Sequence, residues 1–240
     1  MTDAKLDLIA KLLAKAERTT PEEAEALTEH AERLMVKYGI EQARIDERRG
    51  LLGKPQEEII TERIVLTGVY ARDLRELGAG VAAALGTVRP LYADHPEGLM
   101  LYLLGYSSDA QQARTLTASL HVQAMVAMRA WWSVSREAYQ WGTEGDKRRA
   151  RSGFVRGFGV GAADRIRENR RAIVEDAGRG TDLVLASRRD RVDAAVDEMR
   201  TRRARPRQGA DAGAFVTGRR RGREALTGER AATSGRGVSA

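Results

Sequence analysis

Cysteine is missing altogether from the 240 residues, so disulfides and thiolate metal sites are excluded, and the reducing cytoplasm is the expected location. Histidine is scarce, occurring only as His30, His95 and His121, and no two of these stand at a ligand spacing such as H-E-x-x-H. Neither a metal nor another cofactor is therefore expected. There is no P-loop, no G-x-S-x-G and no S-x-x-K set, which argues against the familiar NTPase and hydrolase chemistries. Long apolar runs are lacking too. No stretch nears the ~18 residues of a membrane-spanning helix, and Lys5, Asp7, Lys11, Lys15 and Glu17 break up any secretory leader. No membrane partner is expected. Aromatic residues make up only 5%, and all the tryptophan, Trp131, Trp132 and Trp141, falls in one short stretch.

What the chain does have is charge, unevenly placed. The net +7 splits into −5 over residues 1–146 and +12 over residues 147–240. Nearly all of the C-terminal positives are arginine, whose planar fork suits phosphate oxygens better than a lysine point charge does. An anionic partner at that end is one explanation; the arginine, alanine and glycine usage of a high-GC genome is the other. Hydrophobic residues reach 42%, enough for a real core.

The stretch Ser108 to Trp141 reads as a long helix on which the rest can pack. Ala113, Leu116, Leu120, Ala124, Ala127, Trp131, Val134 and Ala138 form one stripe, while Gln112, Arg114, Ser119, Gln123, Arg129, Arg136 and Gln140 make a wet face. Upstream, Lys5 to Arg18 has the spacing of an amphipathic helix through Leu6, Ile9, Leu13 and Ala16. Thr20, Pro21 and Glu23 supply an N-cap, a first-turn proline and a capping-box partner for a second helix, which the pattern ends at Tyr38 and Gly39. So short a connection makes the two helices antiparallel neighbours.

The run from Lys11 to Ile40 resembles the N-terminal signature of the DUF2786 family, a domain of unknown function found in bacterial and phage proteins. The features that carry the likeness are Leu12-Leu13 with Ala16-Glu17, then Pro21-Glu22-Glu23-Ala24, and Leu34-Met35 leading to Tyr38-Gly39-Ile40. The region after Ile40 is similar, more loosely, to the domain that commonly comes next in that family. The resemblance implies a fold and transfers no catalytic residue.

Residues 44–55 are charged and Gly-punctuated, and read as a linker. Glu58 to Leu66 alternates as a strand, Ala71 to Leu85 is a helix with Leu74, Leu77, Val81 and Leu85 inward, and Thr87 to Tyr92 and Leu99 to Gly105 are strands joined across Ala93 to Gly98. Lys147 to Glu175 and Arg188 to Arg200 read as basic helices, with a short apolar run at Leu183 to Ala186 between them. The expected fold is a mainly helical α+β protein. It comprises an αα-hairpin (1–43), a small three-stranded βαββα unit with the long helix (56–141), a basic helical part packing on it (147–200) and a mostly disordered Arg-rich tail (201–240) in which Phe215-Val216 and Ala225-Leu226 can anchor a short helix on a partner.

Gly157-Phe158-Gly159-Val160-Gly161-Ala162 fits the dinucleotide-binding template letter for letter, but no strand precedes it. Helix packing is the better account: Phe154 with Phe158 and Gly157 with Gly161 each stand four apart, and the glycines let another backbone come close. The basic set, Arg148, Arg149, Arg151, Arg156, Arg165, Arg167, Arg170 and Arg171, then Arg202, Arg203, Arg205, Arg207, Arg219, Arg220, Arg221 and Arg223, would hold phosphates without reading bases. Arg167, Arg170 and Arg171 are expected to share a helical face. Trp132 and Trp141 either pack under the C-terminal helices or stack on bases beside these arginines.

The first functional reading is therefore a non-enzymatic, nucleic-acid-associated accessory protein, binding DNA or RNA without sequence preference, with no catalytic residue assigned. The second is a metal-dependent enzyme acting on nucleic acid, with Asp94, His95 and Glu97 or Glu57, Glu58 and Glu62 as its polar set. The third is a protein-protein adaptor, or a homo-oligomer, formed through the apolar faces of the hairpin.

Overall fold

A computed structural model of the chain describes residues 2–16, 19–53, 55–178, 180–199, 201 and 209–224. Helices α1 (Thr2–Ala16) and α2 (Pro21–Leu51) lead into β1 (Ile59–Leu66), α3 (Ala71–Leu85), β2 (Val88–His95), β3 (Gly98–Tyr106) and α4 (Ser107–Ser135). A short 3-10 turn, Arg136–Tyr139, is followed by α5 (Glu144–Asp176), α6 (Thr181–Asp197) and α7 (Ala212–Glu224). The protein is the mainly helical α+β fold expected, with one small antiparallel sheet ordered β1-β3-β2.

The central strand β3 alternates cleanly. Leu101 and Leu103 point to α3 and α4, where they meet Ala79, Ala82 and Ala113, while Leu104 and Tyr106 point the other way, against Val192 of α6. Both sheet faces are thus covered, one by the α3–α4 pair and one by α6. The expected six-residue hairpin loop shrinks to Pro96 and Glu97, because Ala93 to His95 stay paired with β3 through His95 and Gly98. Gly98 takes φ 144°, a conformation that favours glycine.

Helix α4 ends at Ser135, six residues short of the expected boundary, and Val134 is 81% exposed. Its buried arc is also wider than one stripe: Gln112 and Ser119, expected to be wet, are buried. The reason is that α4 has neighbours on several sides, with Leu116, Leu120, Ala124 and Met128 sharing a core with α1, α2, α3 and α5. The hairpin's apolar faces are spent here, since Ile9, Leu13, Ala31 and Met35 belong to that same core.

Helix α2 overruns its expected end at Gly39 and continues to Leu51, so most of the supposed linker is helix. A mid-helix glycine costs only about 1 kcal/mol. Ile40 and Ala43 recover this by packing on Leu185, Ile173 and Val174. At the α3–α4 crossing, the half-buried His121 ring sets Nε2 2.8 Å from the Leu74 carbonyl oxygen, and burial pushes its pKa below the ordinary value. The neutral ring is the form that fits. A depressed folded pKa means stability is intact above the unfolded value near ~6.5 and lost as pH falls below it, by up to about 1.4 kcal/mol per pH unit. Melting curves at pH 7 and pH 5 are expected to show that loss, and His121→Gln to flatten it.

Candidate nucleic-acid interface

Helix α5 begins in a full capping box. The Thr143 hydroxyl accepts from the Asp146 amide at 3.2 Å, and the Asp146 carboxylate accepts from the Thr143 amide at 2.9 Å. Farther along, Phe154 stacks on Trp131 at 4.9 Å between centroids, and Phe158 is buried beside it. The glycines on the adjoining face do what helix packing requires. A Cβ at Gly157 would be driven into the Phe215 carbonyl of α7, and one at Gly161 into the Arg219 carbonyl. Helix α7 answers in kind, with Gly218 against the Phe154 carbonyl and Gly222 against that of Phe158. The glycine motif is thus a helix clasp and not a pyrophosphate turn.

The short helix expected in the tail packs within the chain and not on a partner. Ala212–Glu224 is a helix held along α5 by backbone-to-backbone contact, with Ala214 buried in the main core. Its start is pinned by Asp211, whose Oδ1 accepts from the Ala214 amide at 2.8 Å and from the Tyr139 hydroxyl at 3.2 Å. Its end is held by buried Arg165, which donates to the Arg223 carbonyl at 3.0 Å. Residues 202–208 and 225–240 of the tail, with Arg202, Arg203, Arg205 and Arg207, lie outside the described residues.

The described members of the basic set divide by environment. Arg219 and Arg167 share Asp164 at 2.7 and 2.8 Å, Arg223 pairs with Glu168 at 2.8 Å, and Arg220 and Arg221 share Glu224 at 3.7 and 3.3 Å. All five are well exposed, and so is Arg171, one turn beyond Arg167. Arg148 is exposed, and Arg149 is tied to Asp146. Arg170 does not join Arg167 and Arg171: it turns inward beside Gly86 and Asp109, and burial lowers its pKa. Arg156 is drawn to Glu76 at 3.2 Å, and so leaves the anion-facing set.

The tryptophans part company. Trp131, Trp132 and Tyr139 form an aromatic cluster on Phe154, and the Arg151 guanidinium lies 5.0 Å above the Trp132 ring. Trp132 is therefore packed, as one of its two readings had it, and Arg151 covers it. Trp141 is 93% exposed.

A second polar centre escaped the sequence reading. Arg188 of α6, only 4% exposed, donates to Asp109 at 2.9 Å, Asp46 at 2.8 Å, Glu57 at 2.6 Å and the Ser108 hydroxyl at 3.1 Å, and lies 3.8 Å over the Tyr106 ring. Glu57 also accepts from the Ser107 hydroxyl at 2.7 Å and from the Ser108 amide. Burial pushes the Asp109 carboxyl up against the pull of Arg188. Glu57 stays below its usual range through Arg188 and the two serines, although burial opposes this. The carboxylates hold the Arg188 guanidinium charged, its pKa raised against the cost of burial. The cluster borders a cleft of about 450 Å³ between α2 and α6, flanked by Glu47, Gln56 and Arg191. Each guanidinium nitrogen of Arg188 donates to at least one of these acceptors, which makes the cluster a fastening of α2, the segment before β1, α4 and α6. A charge at a stripe position, Leu185-Arg188-Val192, was the available signal.

The carboxylates of the enzyme reading are dispersed. Glu57 serves Arg188, Glu62 pairs with Arg114 at 3.2 Å, and Asp94 pairs with Arg75 at 2.6 Å. Among the described residues no group of three or more His, Asp or Glu is placed to hold a metal ion, and no helix is long and apolar enough to cross a membrane. Neither a curated protein nor a solved structure matches the chain. Residues 5–42, spanning α1 and much of α2, match the family described as Protein of unknown function (DUF2786).

Proposed function

We propose that this protein is a non-enzymatic accessory factor that binds the phosphate backbone of nucleic acid through the outer surface of α5 and α7. One observation carries the reading: among the described residues the exposed Arg167, Arg219, Arg220, Arg221 and Arg223 pair with three carboxylates, Asp164, Glu168 and Glu224, two of them each shared by two guanidiniums, and Arg171 is exposed one turn beyond Arg167. Exposed ion pairs of this kind hold by about 0–1 kcal/mol, so phosphate oxygens can replace them at little cost. The α7 clasp gives the charges a fixed spacing, and the four arginines between 202 and 207 extend them in sequence. Contacts of this type position a polyanion without reading bases.

The test is binding of a labelled 20-nucleotide strand across 50–300 mM salt. Replacing Arg219, Arg220, Arg221 and Arg223 together by Gln is expected to lower the slope of log K against log salt by about 3, at roughly 0.7–0.9 per phosphate contact. Arg72→Gln, on the exposed side of α3, is expected to leave it unchanged. An unaltered slope and affinity in the quadruple variant would remove the reading.

A further inference from the structure

We infer that Trp141 is a stacking platform for an unpaired base, so that the nucleic acid this protein prefers is single-stranded; the inference rests on the phosphate-binding reading above. The indole is 93% exposed at the turn between Tyr139 and the α5 cap, while Trp131 and Trp132 just before it are taken into the aromatic cluster. A large ring left in water is an unused apolar face. The ring is also presented by a braced segment. Tyr139 is bound to Asp211 on one side, the Gly142 amide donates to the Tyr139 carbonyl at 3.0 Å, and the Thr143–Asp146 capping box closes the other side. Little ordering entropy is then lost when a base settles on it.

Charge in the sequence flanking the ring favours a polyanion. Between Arg129 and Arg151 stand six cations and the three carboxylates Glu137, Glu144 and Asp146. Glu144 is engaged by Lys147 at 2.9 Å and Asp146 by Arg149, while Arg129, Arg136 and Arg148 are exposed on the segments that lead into and out of the turn. Bases inside a duplex already have both faces stacked, so an indole standing clear of the surface finds a free face only on a single strand. Phosphates held by arginine and a base laid on an aromatic ring are the two components of sequence-tolerant strand binding.

The experiment compares the full chain with Trp141→Ala and Trp141→Phe. Fluorescence anisotropy is read on labelled oligo-dT, oligo-U and a hairpin duplex of equal phosphate number at fixed salt. Trp141→Ala is expected to weaken binding to both single strands by about tenfold or more while duplex affinity stays within twofold, with Trp141→Phe in between. Tryptophan emission of the wild type is expected to be quenched by the strands, and that quenching to be largely lost in Trp141→Ala. Equal affinities of wild type and Trp141→Ala on all three probes would overturn the stacking role and leave the phosphate reading standing. A matching loss on the duplex would overturn the single-strand assignment. No binding of any probe by the wild type at 50 mM salt would bring down the phosphate reading itself. A change of oligomeric state in Trp141→Ala, without change in binding, would make the ring a contact between copies and overturn the inference.

Discussion

Gly218→Val is expected to release α7 from the body of the protein. The added Cβ would collide with the Phe154 carbonyl, a backbone atom in the middle of α5 that cannot swing aside as a side chain does. Overpacking usually costs about 1–3 kcal/mol, and a backbone obstacle puts this case at or beyond the upper end. Once the helices part, the capping by Asp211 and the hold of Arg165 on the Arg223 carbonyl are lost with the clasp. Hydrogen exchange is the direct readout: amides of residues 212–224 should lose their protection while those of α4 keep theirs. Gly213→Ala is the matched control. Its nearest atom would be Asp211 Oδ1 at 3.7 Å, so it should be neutral or stabilising by up to about 1 kcal/mol. If Gly218→Val retained protection across α7, close backbone packing would not be what holds that helix.

The other large effect is expected at Arg188. Replacing it by Met leaves Asp46, Glu57 and Asp109 buried without their cation, and breaking a buried pair in this way costs about 3–5 kcal/mol. The Glu57 contribution to the pH dependence should reverse. In the wild type the lowered pKa of Glu57 contributes stability above the ordinary carboxylate value of ~4.5, and that contribution is lost as pH falls through the folded pKa. Without Arg188 the buried carboxyls favour protonation, so the variant should gain stability relative to wild type as pH drops from 7 toward 4. Denaturant melts at the two pH values measure this directly. Arg188→Lys should recover little, because one ammonium cannot meet three carboxylates on separate elements as the planar fork does. A gap between Arg188→Met and wild type that stayed constant with pH would show that lost packing on Tyr106, and not charge, sets the cost.

Much of the fold was legible because its signals were local. Helix α3 was read at its observed bounds from Leu77 and Val81 at helical spacing, and the hairpin from Asp94, Pro96 and Gly98 at the turn. The glycine pair of α5 announced a close approach of backbone, but not what would approach, since the partner lay beyond a stretch of arginine that reads as solvated tail. Errors came where tertiary contact overrode a local stop. Gly39 did not end α2 because Ile40 and Ala43 had apolar partners on α5 and α6. The Arg188 centre was harder still: its participants stand at positions 46, 57, 109 and 188, and only a fold brings them together. For the candidate interface, the sequence named the arginines but could not tell Arg170, turned inward, from Arg167 and Arg171 on the exposed side.

The pairing of α5 and α7 combines two tasks. Glycines spaced by four on both helices act like notches on two rules laid edge to edge: they block an offset of one or two residues, yet the same spacing recurs after each full turn. With two such notches on each helix, a slip of one turn keeps only one of each pair matched, and the ends add to that selection. There Asp211 meets Tyr139 and Arg165 meets the last turn of α7. How near the two rods lie is consequently specified by the glycines, and how far along one another they sit by the glycines and the ends together.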